Sequence, residues 1–331
     1  MRALHVDCDV LASPASGVAI YLREVLARLP GEIVRRPEHP GLGAPQRAWA
    51  RQIPGAYALR AWRQAWPLVP RRAVFWSPNF LLPPLSPRRS VVTVHDTIFW
   101  DKPEWADPVR GAFFRNHLPR TLRWAARVIV PTQAAARRLC EIEPQAKLTV
   151  IPYGVRLLAA PPCERRTILY FGNIERRKDV ESLVRAYARL PAAVREAHPL
   201  VVAGHASDPA YVASLGVAVT ARPSESALAQ LIAQAAVVVS PSRAEGFGLT
   251  PLEALVAGAP VIASDIAVAR DVLGAAADYF PAGDVAALST LLAERLRAPR
   301  VVSSEVRAAL MARFSWEACA RAHAELFASL A

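Results

Sequence analysis

The sequence is poor in cysteine and in lysine. Its four cysteines, Cys8, Cys140, Cys163 and Cys319, are widely spaced and form no C-x-x-C pair. This spacing is typical of a protein in a reducing compartment and argues against a zinc site. Only three of the 40 basic residues are lysines, so a lysine within a motif stands out.

Long uncharged stretches are also missing. No window approaches the roughly 18 apolar residues of a membrane span, and Asp7 and Asp9 stand where a signal peptide would have its apolar stretch. We therefore expect a cytoplasmic protein. Peripheral attachment to the inner face of the cytoplasmic membrane remains open.

Several catalytic signatures are absent from the sequence. It has no G-x-S-x-G, no P-loop G-x-x-x-x-G-K-[ST], no G-x-G-x-x-G and no ladder of His and Cys. Asp7-Cys8-Asp9 is similar to the D-x-D of metal-dependent sugar transferases, but no other residue indicates a metal. We therefore expect neither a metal ion nor a cofactor.

Acidic residues are scarce in the first half. The net charge is +12; residues 1–155 hold 22 Lys and Arg against 11 Asp and Glu, whereas residues 156–331 hold 18 against 17. A basic half favours nucleic acid, an anionic membrane surface or a phosphorylated substrate. No nucleic-acid-binding motif accompanies the charge, so we expect no nucleic acid partner.

Short apolar runs alternate with helical stretches along the whole chain, a pattern typical of an α/β protein with parallel sheets covered by helices. The loss of periodicity and Pro161-Pro162 at 154–166 indicate a linker, so we predict two doubly wound domains. Predicted strands are 3–7, 73–77, 91–96, 127–132, 147–152, 167–172, 200–204, 217–220, 236–242 and 260–264. Predicted helices are 18–29, 108–126, 133–141, 179–190, 208–214, 224–234, 250–258 and 266–273.

The segment 45–72 interrupts this alternation. It mixes Trp49, Trp62 and Trp66 with six arginines. One interpretation is a basic amphipathic helix that lies on a membrane surface. The other is that the tryptophans pack on the domain while the arginines are solvated.

Ligands of doubly wound sheets bind beyond the carboxyl ends of the strands, so the loops there are the candidate sites. Ser16-Gly17 precede the first helix, and His95-Asp96 end a well-formed strand. Gly172 closes another strand and is followed by Arg176-Arg177-Lys178. Three adjacent cations suit a diphosphate; the alternative is a solvated basic turn.

Residues 243–255, RAEGFGLTPLEAL, place Glu245 and Glu253 eight positions apart. Thr250-Pro251-Leu252-Glu253 fits a capping box with Thr250 as the N-cap. The other interpretation is that the glycine turn and the helix N-terminus hold an anion. The stretch alone favours neither.

Taken together, these motifs resemble the family-4 retaining glycosyltransferases of the GT-B fold. SGVAIYLREVLARL is similar to the glycine loop and first helix of that family, and FWSPNFLLP with VVTVHDTIFWDKPEW resembles a subgroup rich in mannosyltransferases. ILYFGNIERRKDVESLVRAYARL resembles the start of its nucleotide-binding domain. PSRAEGFGLTPLEALVAGAPVIAS carries its E-x7-E motif, and FSWEACARAHAEL is similar to the helix that returns to the first domain.

The resemblance implies two Rossmann-like domains facing across a cleft. Residues 1–155 would bind the acceptor, 156–314 would bind the nucleotide sugar, and 315–331 would form the returning helix. Departures from the family pattern are Ser16-Gly17-Val18-Ala19 in place of GGIG, Asn173 in place of Arg, Tyr153 in place of Asn, and Trp76 in place of His.

The resemblance also implies a role for each candidate residue. Glu253 would hold the ribose hydroxyls, Glu245 would face the donor sugar, and Arg177 and Lys178 would neutralise the leaving diphosphate. His95 would contact the donor sugar and align the acceptor. The remaining donor-binding residues would be Gly17, Gly172, Phe247, Gly248, Leu249 and Thr250.

The function implied is metal-independent, retaining transfer of a hexose, with mannose from GDP-mannose as the first choice. The acceptor would be a lipid-linked glycan or a lipopolysaccharide or exopolysaccharide chain, reached by peripheral contact with an anionic membrane. Two alternatives remain: transfer from a UDP- or dTDP-sugar to a soluble acceptor, and a non-catalytic partner in polysaccharide assembly.

Overall fold

The structure is a computed structural model that describes residues 3–12, 17–36, 69–70, 72–82, 88–105, 108–206 and 208–331. The chain divides into two compact units. The first comprises Met1–Gly154 together with Phe314–Ala331, and the second comprises Val155–Arg313. The segment 45–72, with its proposed membrane-surface helix, lies almost entirely outside the described residues.

The first unit is built on a parallel sheet of six strands in the order β2-β1-β3-β4-β5-β6. Apolar side chains of β1, β3 and β4 are buried on both faces of the sheet, as covering helices require. The strands are β1 Leu4–Asp7, β2 Ile33–Arg36, β3 Val74–Ser77, β4 Ser90–Thr93, β5 Arg127–Val130 and β6 Leu148–Val150.

The second unit holds another parallel sheet of six strands, in the order β12-β11-β10-β7-β8-β9. This is the Rossmann order, in which the order of strand addition reverses between the first and the fourth strand of the sheet, here β7 and β10. These two strands are parallel neighbours. The strands are β7 Thr167–Ile174, β8 Leu200–Ala206, β9 Val219–Ala221, β10 Ala235–Ser240, β11 Val261–Ser264 and β12 Asp278–Phe280.

Helices connect the strands of both sheets. Those of the first unit are α1 Gly17–Leu26, α2 Ile98–Asp101, α3 Pro108–Trp124, α4 Gln133–Ile142 and α13 Trp316–Ala328. Those of the second unit are α5 Val180–Ala188, α6 Ala192–Ala197, α7 Pro209–Ser214, α8 Glu225–Gln234, α9 Leu249–Val256, α10 Ala267–Leu273, α11 Val285–Arg297 and α12 Ser304–Arg313. Short 3-10 turns lie at Asp9–Ala12, Pro103–Trp105, Arg176–Lys178 and Gly274–Ala276.

The predicted α/β class with two doubly wound sheets is confirmed. Four predicted strands are too long at their carboxyl ends, and two of them, predicted at 147–152 and 236–242, end at Val150 and Ser240. The strand predicted at 127–132 ends at Val130, because Thr132 is the N-cap of α4 and its side chain accepts from the Ala135 amide at 3.1 Å. The strand predicted at 91–96 ends at Thr93, which leaves His95 and Asp96 in the loop beyond it.

Among the strands and α-helices of the described residues, six are absent from the prediction: β2, β12, α2, α6, α11 and α12. The edge strands β2 and β12 are short, and their sequences, IVRR and DYF, give little periodicity. Helix α11 does carry a start signal, because Asp284 caps it by accepting from the amides of Ala286 and Ala287.

A directed series of hydrogen bonds joins α13 to the core of the first unit. His323 Nδ1 donates to the Cys319 carbonyl at 2.8 Å, so its Nε2 accepts from the Tyr21 hydroxyl at 2.6 Å. Tyr21 in turn accepts from Thr93, whose Oγ1 receives the Trp76 indole N–H at 3.0 Å. Burial lowers the pKa of His323 to about 4, which keeps the imidazole neutral for this arrangement.

Gly154, the last residue of Met1–Gly154, also packs against α13. A Cβ at Gly154 would lie 2.3 Å from the Trp316 side chain and 2.4 Å from its backbone nitrogen. Only glycine permits this approach, so the chain leaves the first unit in contact with the helix that rejoins it. Among the described residues, no helix is both long and apolar enough to cross a membrane.

Candidate functional site

A cluster of polar and charged side chains in the second unit lies at the β7/β10 reversal. Two loops follow these neighbouring strands, 175–179 after β7 and 241–248 after β10. They are joined through their backbones, because the Arg243 amide donates to the Arg177 carbonyl at 2.9 Å. The Arg177 guanidinium also donates to the Ala244 carbonyl at 3.1 Å. Ligands of Rossmann sheets bind at this position.

Glu245 lies at the centre of this cluster. Its Oε1 accepts from Lys178 Nζ at 2.5 Å and from Ser242 Oγ at 2.7 Å, and its Oε2 accepts from Arg177 at 3.3 Å. The side chains of Glu245 and Lys178 are only 10% and 13% exposed. The two loops are therefore linked by a largely buried ion pair.

The charge of Glu245 is fixed by these contacts. Burial, the largest single influence, raises the pKa of Glu245, but the positive charges of Lys178 and Arg177 and the hydrogen bonds from Lys178 and Ser242 outweigh it and lower the pKa to about 2. The carboxylate is thus ionised throughout the pH range in which enzymes ordinarily work.

The interpretation of Arg176-Arg177-Lys178 as a solvated basic turn fails for Arg177 and Lys178, whereas Arg176 is exposed. Lys178 pairs with Glu245, and Arg177 pairs with both Glu245 and Glu175, the latter at 2.6 Å. Arg176 lies over the Tyr211 ring, 5.1 Å from its centroid. Part of the anionic charge that the three cations require is therefore supplied by the chain itself.

A second ion pair, which the sequence did not indicate, ties the same loops together. Arg243 Nε donates to Asp179 Oδ2 at 2.7 Å, and Ser182 Oγ donates to the same oxygen at 2.8 Å. Asp179 adopts φ +50, a left-handed conformation that Asp tolerates better than most residues. This conformation turns the chain from the Lys178 loop into α5.

The capping box predicted with Thr250 as N-cap is wrong. Helix α9 begins at Leu249, its N-cap is Gly248 at φ +89, and no side chain caps it. The left-handed conformation requires glycine at this position. The first amides of α9, those of Leu249 and Thr250, have no carbonyl partner within the helix and can serve an anion.

Gly172 faces the same helix start from β7. The strand continues past it to Ile174, so the prediction that Gly172 closes the strand is wrong. Gly172 has φ +131, and a Cβ there would lie 3.4 Å from Thr250 Oγ1. Its partner Gly204 in β8 admits no side chain, because a Cβ would lie 1.7 Å from the Gly172 carbonyl oxygen.

Glu253 lies on α9, only 6% exposed. Its Oε1 accepts from Nε and Nη2 of Arg156 at 3.1 and 3.0 Å. Burial raises the pKa of Glu253 and is only partly offset by Arg156. The sequence does not indicate Arg156, which lies in the linker 97 positions away from Glu253 and matches no motif.

His95 belongs to the first unit and is buried there. Its Nε2 donates to the Pro78 carbonyl at 2.6 Å, so its Nδ1 accepts from the Tyr153 hydroxyl. Burial lowers the pKa of His95 to about 4, against a smaller opposing influence of the Pro78 hydrogen bond. The imidazole is therefore neutral near pH 7, and its role toward a donor sugar stays a prediction.

Gly17 is the first residue of α1 and is exposed. A Cβ there would meet no atom within 4 Å, so no packing of the described residues demands glycine. Ser16, its neighbour in the predicted phosphate loop, lies outside the described residues. Within the described part of the chain, no group of three or more His, Cys, Asp or Glu side chains could hold a metal ion.

The ion pairs of Glu245 predict how the stability of the protein changes with pH. The pKa of Glu245 in the folded state lies below its value in the unfolded chain, so its stabilisation is complete above about pH 5 and is lost as the pH falls toward 2. We expect Glu245→Gln to lower the free energy of unfolding by about 3 kcal/mol at pH 7. Urea unfolding from pH 7 to pH 2 should show this deficit shrinking with acidity.

The control for this experiment is Asp265→Asn. Asp265 also pairs with an arginine, Arg270, but both side chains are about half exposed, so the substitution should cost little at any pH. A deficit for Glu245→Gln that is the same at pH 7 and pH 3 would contradict the assignment.

Two protein families match the chain. Residues 1–157 match the family described as Glycosyltransferase Family 4, and residues 160–322 match the one described as Glycosyl transferases group 1. The two matches meet close to the boundary at Gly154 between the structural units.

Two curated proteins illustrate the similarity. The O-antigen chain mannosyltransferase B of Escherichia coli is 28% identical over 295 residues, which span 78% of this chain and 74% of that protein. A D-inositol 3-phosphate glycosyltransferase of Thermobispora bispora is 30% identical over 264 residues, which span 69% of this chain and 60% of that protein.

Solved structures share the fold. A sucrose-phosphate synthase from Thermosynechococcus elongatus aligns with TM-score 0.73 and 21% identity over 100% of this chain and 99% of its own. HepE from Anabaena, solved with UDP and glucose, aligns with TM-score 0.69 and 16% identity over 99% of each chain. With its two matching family domains and this architecture, the chain belongs to the family 4 glycosyltransferases of the GT-B fold.

Proposed function

We propose that this glycosyltransferase moves a hexose from a nucleotide sugar to a glycan acceptor, with retention of configuration and without a metal ion. The observation that carries the proposal is the cluster of Lys178, Arg177 and Glu245 at the β7/β10 reversal, beside the start of α9. Fixed cations and amide donors are thus concentrated in one place.

The chemistry needs positive charge at the leaving diphosphate. Cleavage of the bond between sugar and diphosphate builds negative charge on the phosphate, and preorganised donors stabilise that charge in the transition state. Lys178 has three N–H donors, and one of them donates a hydrogen bond to Glu245 Oε1. The other donors of Lys178, with Arg177 and the first amides of α9, would serve the diphosphate.

Glu245 would orient these donors and face the sugar, and it would take up no proton. A general base works best with a pKa near the working pH, whereas the pKa of Glu245 is lowered to about 2. We propose that the acceptor hydroxyl attacks from the face that the diphosphate leaves, and that a β-phosphate oxygen takes its proton. The step then needs no protein nucleophile and no glycosidase-like carboxylate pair.

GDP-mannose is the proposed donor, and the proposed acceptor is a lipid-linked, lipopolysaccharide or exopolysaccharide glycan. The similarity to a protein named O-antigen chain mannosyltransferase B supports mannose as the sugar and a polysaccharide chain as the acceptor. We further propose that the protein works in the cytoplasm, and that the basic charge of residues 1–155 favours contact with an anionic membrane.

The second candidate is transfer from a UDP- or dTDP-sugar to a soluble acceptor. It is favoured by the similarity to a glycosyltransferase named for D-inositol 3-phosphate and by the solved HepE complex with UDP. A non-catalytic role in polysaccharide assembly would not require Lys178 and Glu245 to form a largely buried pair at the ligand-binding edge of the sheet.

A donor screen tests the proposal. Thermal unfolding is measured with GDP, UDP and dTDP, and release of the diphosphate is measured with the matching hexose donors, in buffer with a chelator. We expect GDP to raise the melting temperature most and GDP-mannose to be hydrolysed slowly. Stabilisation by UDP alone would favour the second candidate, and no response to any nucleotide would contradict transferase activity.

A further inference from the structure

Arg156 is the first charged residue of the second unit, and it lies between two carboxylates. Its Nε and Nη2 both donate to Oε1 of Glu253, at 3.1 and 3.0 Å, and its Nη1 donates to Glu225 at 3.4 Å. The Glu253 side chain is 8% exposed, whereas those of Arg156 and Glu225 are 37% and 70% exposed. The guanidinium therefore covers a buried carboxylate and still reaches solvent.

Arg156 donates hydrogen bonds to only one of the two carboxylate oxygens of Glu253. Both bonds to Glu253 go to the same oxygen, so Oε2 is not taken up by Arg156. A guanidinium has five N–H donors, and three of them serve the two carboxylates. One positive charge between two negative charges leaves this corner net negative, which disfavours a phosphate and suits neutral hydroxyl groups.

A vicinal diol matches this arrangement. Each hydroxyl both donates and accepts, so a diol can donate to a carboxylate oxygen while it accepts from guanidinium N–H groups. Arginine is suited to such a role because its planar group holds several donors in a fixed geometry. Glu253 alone could only accept.

We propose that Arg156 is a ribose-binding residue of the donor site: it holds the Glu253 carboxylate in place for the nucleotide's ribose diol and donates its remaining N–H groups to the same hydroxyls. This inference rests on the proposed function, because it takes the ligand to be a nucleotide sugar. It assigns donor recognition to a linker residue.

The test compares wild type, Arg156→Gln and Arg156→Lys in calorimetric titrations with GDP and UDP and with their 2′-deoxy forms. For the ribonucleotide that wild type binds better, we expect Arg156→Gln to weaken binding about tenfold. The preference for the ribo form over the deoxy form should fall with it. Arg156→Lys, which keeps the charge without the planar donor pair, should lie between the two.

The matched control is Arg295→Gln. Arg295 is 31% exposed and likewise makes two bonds to a mostly buried carboxylate, that of Asp278 in the edge strand β12. The substitution Arg295→Gln should leave nucleotide affinity unchanged. If Arg156→Gln does not fold, the ribo/deoxy preference of Arg156→Lys decides the question.

The outcomes separate this inference from the proposed function. If wild type binds a nucleotide and both Arg156 variants keep its preference for the ribo form, the role of Arg156 is overturned. The proposed function is not affected by that result. Tighter binding by Arg156→Gln would also overturn it, by showing that Arg156 competes with the ribose for Glu253. If wild type binds none of the nucleotides, the proposed function fails and the inference fails with it.

Discussion

Replacement of Lys178 by alanine should lower kcat about 10²-fold to 10³-fold, the loss seen when one preorganised donor is removed from a site of developing negative charge. Lys178 is the proposed donor to the leaving diphosphate, and Glu245 holds it in position at 2.5 Å. The KM for the donor should change less than kcat, because the charge on the phosphate grows mainly in the transition state. Steady-state rates with the preferred sugar nucleotide measure both parameters.

The same substitution also breaks an ion pair, and stability must be separated from catalysis. Glu245 keeps Arg177 and Ser242 as partners, so we expect Lys178→Ala to cost about 2 kcal/mol of unfolding free energy, less than the loss of a partner in a fully buried pair. Turnover is therefore compared well below the melting temperature of each variant.

A paired substitution provides the control. The double variant Lys178→Met, Glu245→Gln removes both charges and should recover much of the stability, but it should stay as inactive as Lys178→Ala. Recovery of turnover together with stability would show that the ion pair is only structural. Near-normal turnover by folded Lys178→Ala would likewise remove the diphosphate assignment.

Replacement of Glu253 by glutamine should weaken nucleotide binding by about 2 kcal/mol, close to thirtyfold, with a smaller effect on kcat. Glutamine keeps the shape of the side chain but loses the negative charge that accepts the ribose hydroxyls. The free energy of unfolding should change little, because the substitution also removes a buried charge whose desolvation raises the pKa of Glu253.

Glu225→Gln is the matched control for Glu253. Glu225 is the other carboxylate that contacts Arg156, but its side chain is 70% exposed, so nucleotide affinity should remain within about twofold. Equal affinity of wild type and Glu253→Gln for the preferred nucleotide would place the ribose elsewhere.

The sequence predicts the fold class well because apolar runs of strand length and their helices are local signals. It also singles out Lys178 and Glu245, through a rare lysine and a glutamate pair. It predicts the wrong start for α9, because T-P-L-E fits a capping box with Thr250 as N-cap, whereas the N-cap is Gly248, at φ +89, two positions earlier. Local motifs do not reveal which of two overlapping starts the backbone adopts.

The contacts that hold the site together are the part that the sequence could not provide. Arg243 and Asp179 are 64 positions apart, and Arg156 and Glu253 are 97 apart. Arg243 and Asp179 meet because parallel strands bring the loops after β7 and β10 to one edge of the sheet, whereas Arg156 reaches α9 from the linker. In an arginine-rich chain, the composition does not distinguish the arginines that make such pairs from those that are solvated.

The first unit cannot complete its core until the ribosome has translated the second unit. Tyr21 and Trp76 lie in the first half of the chain, yet His323 and Phe327 of α13 complete their surroundings, with the Trp76 and Phe327 rings 5.3 Å apart. At about 5–20 residues per second, the stretch from Gly154 to the last residue takes roughly 10–35 s to synthesise. The half of the protein that emerges first therefore cannot finish folding before almost the whole chain has been synthesised.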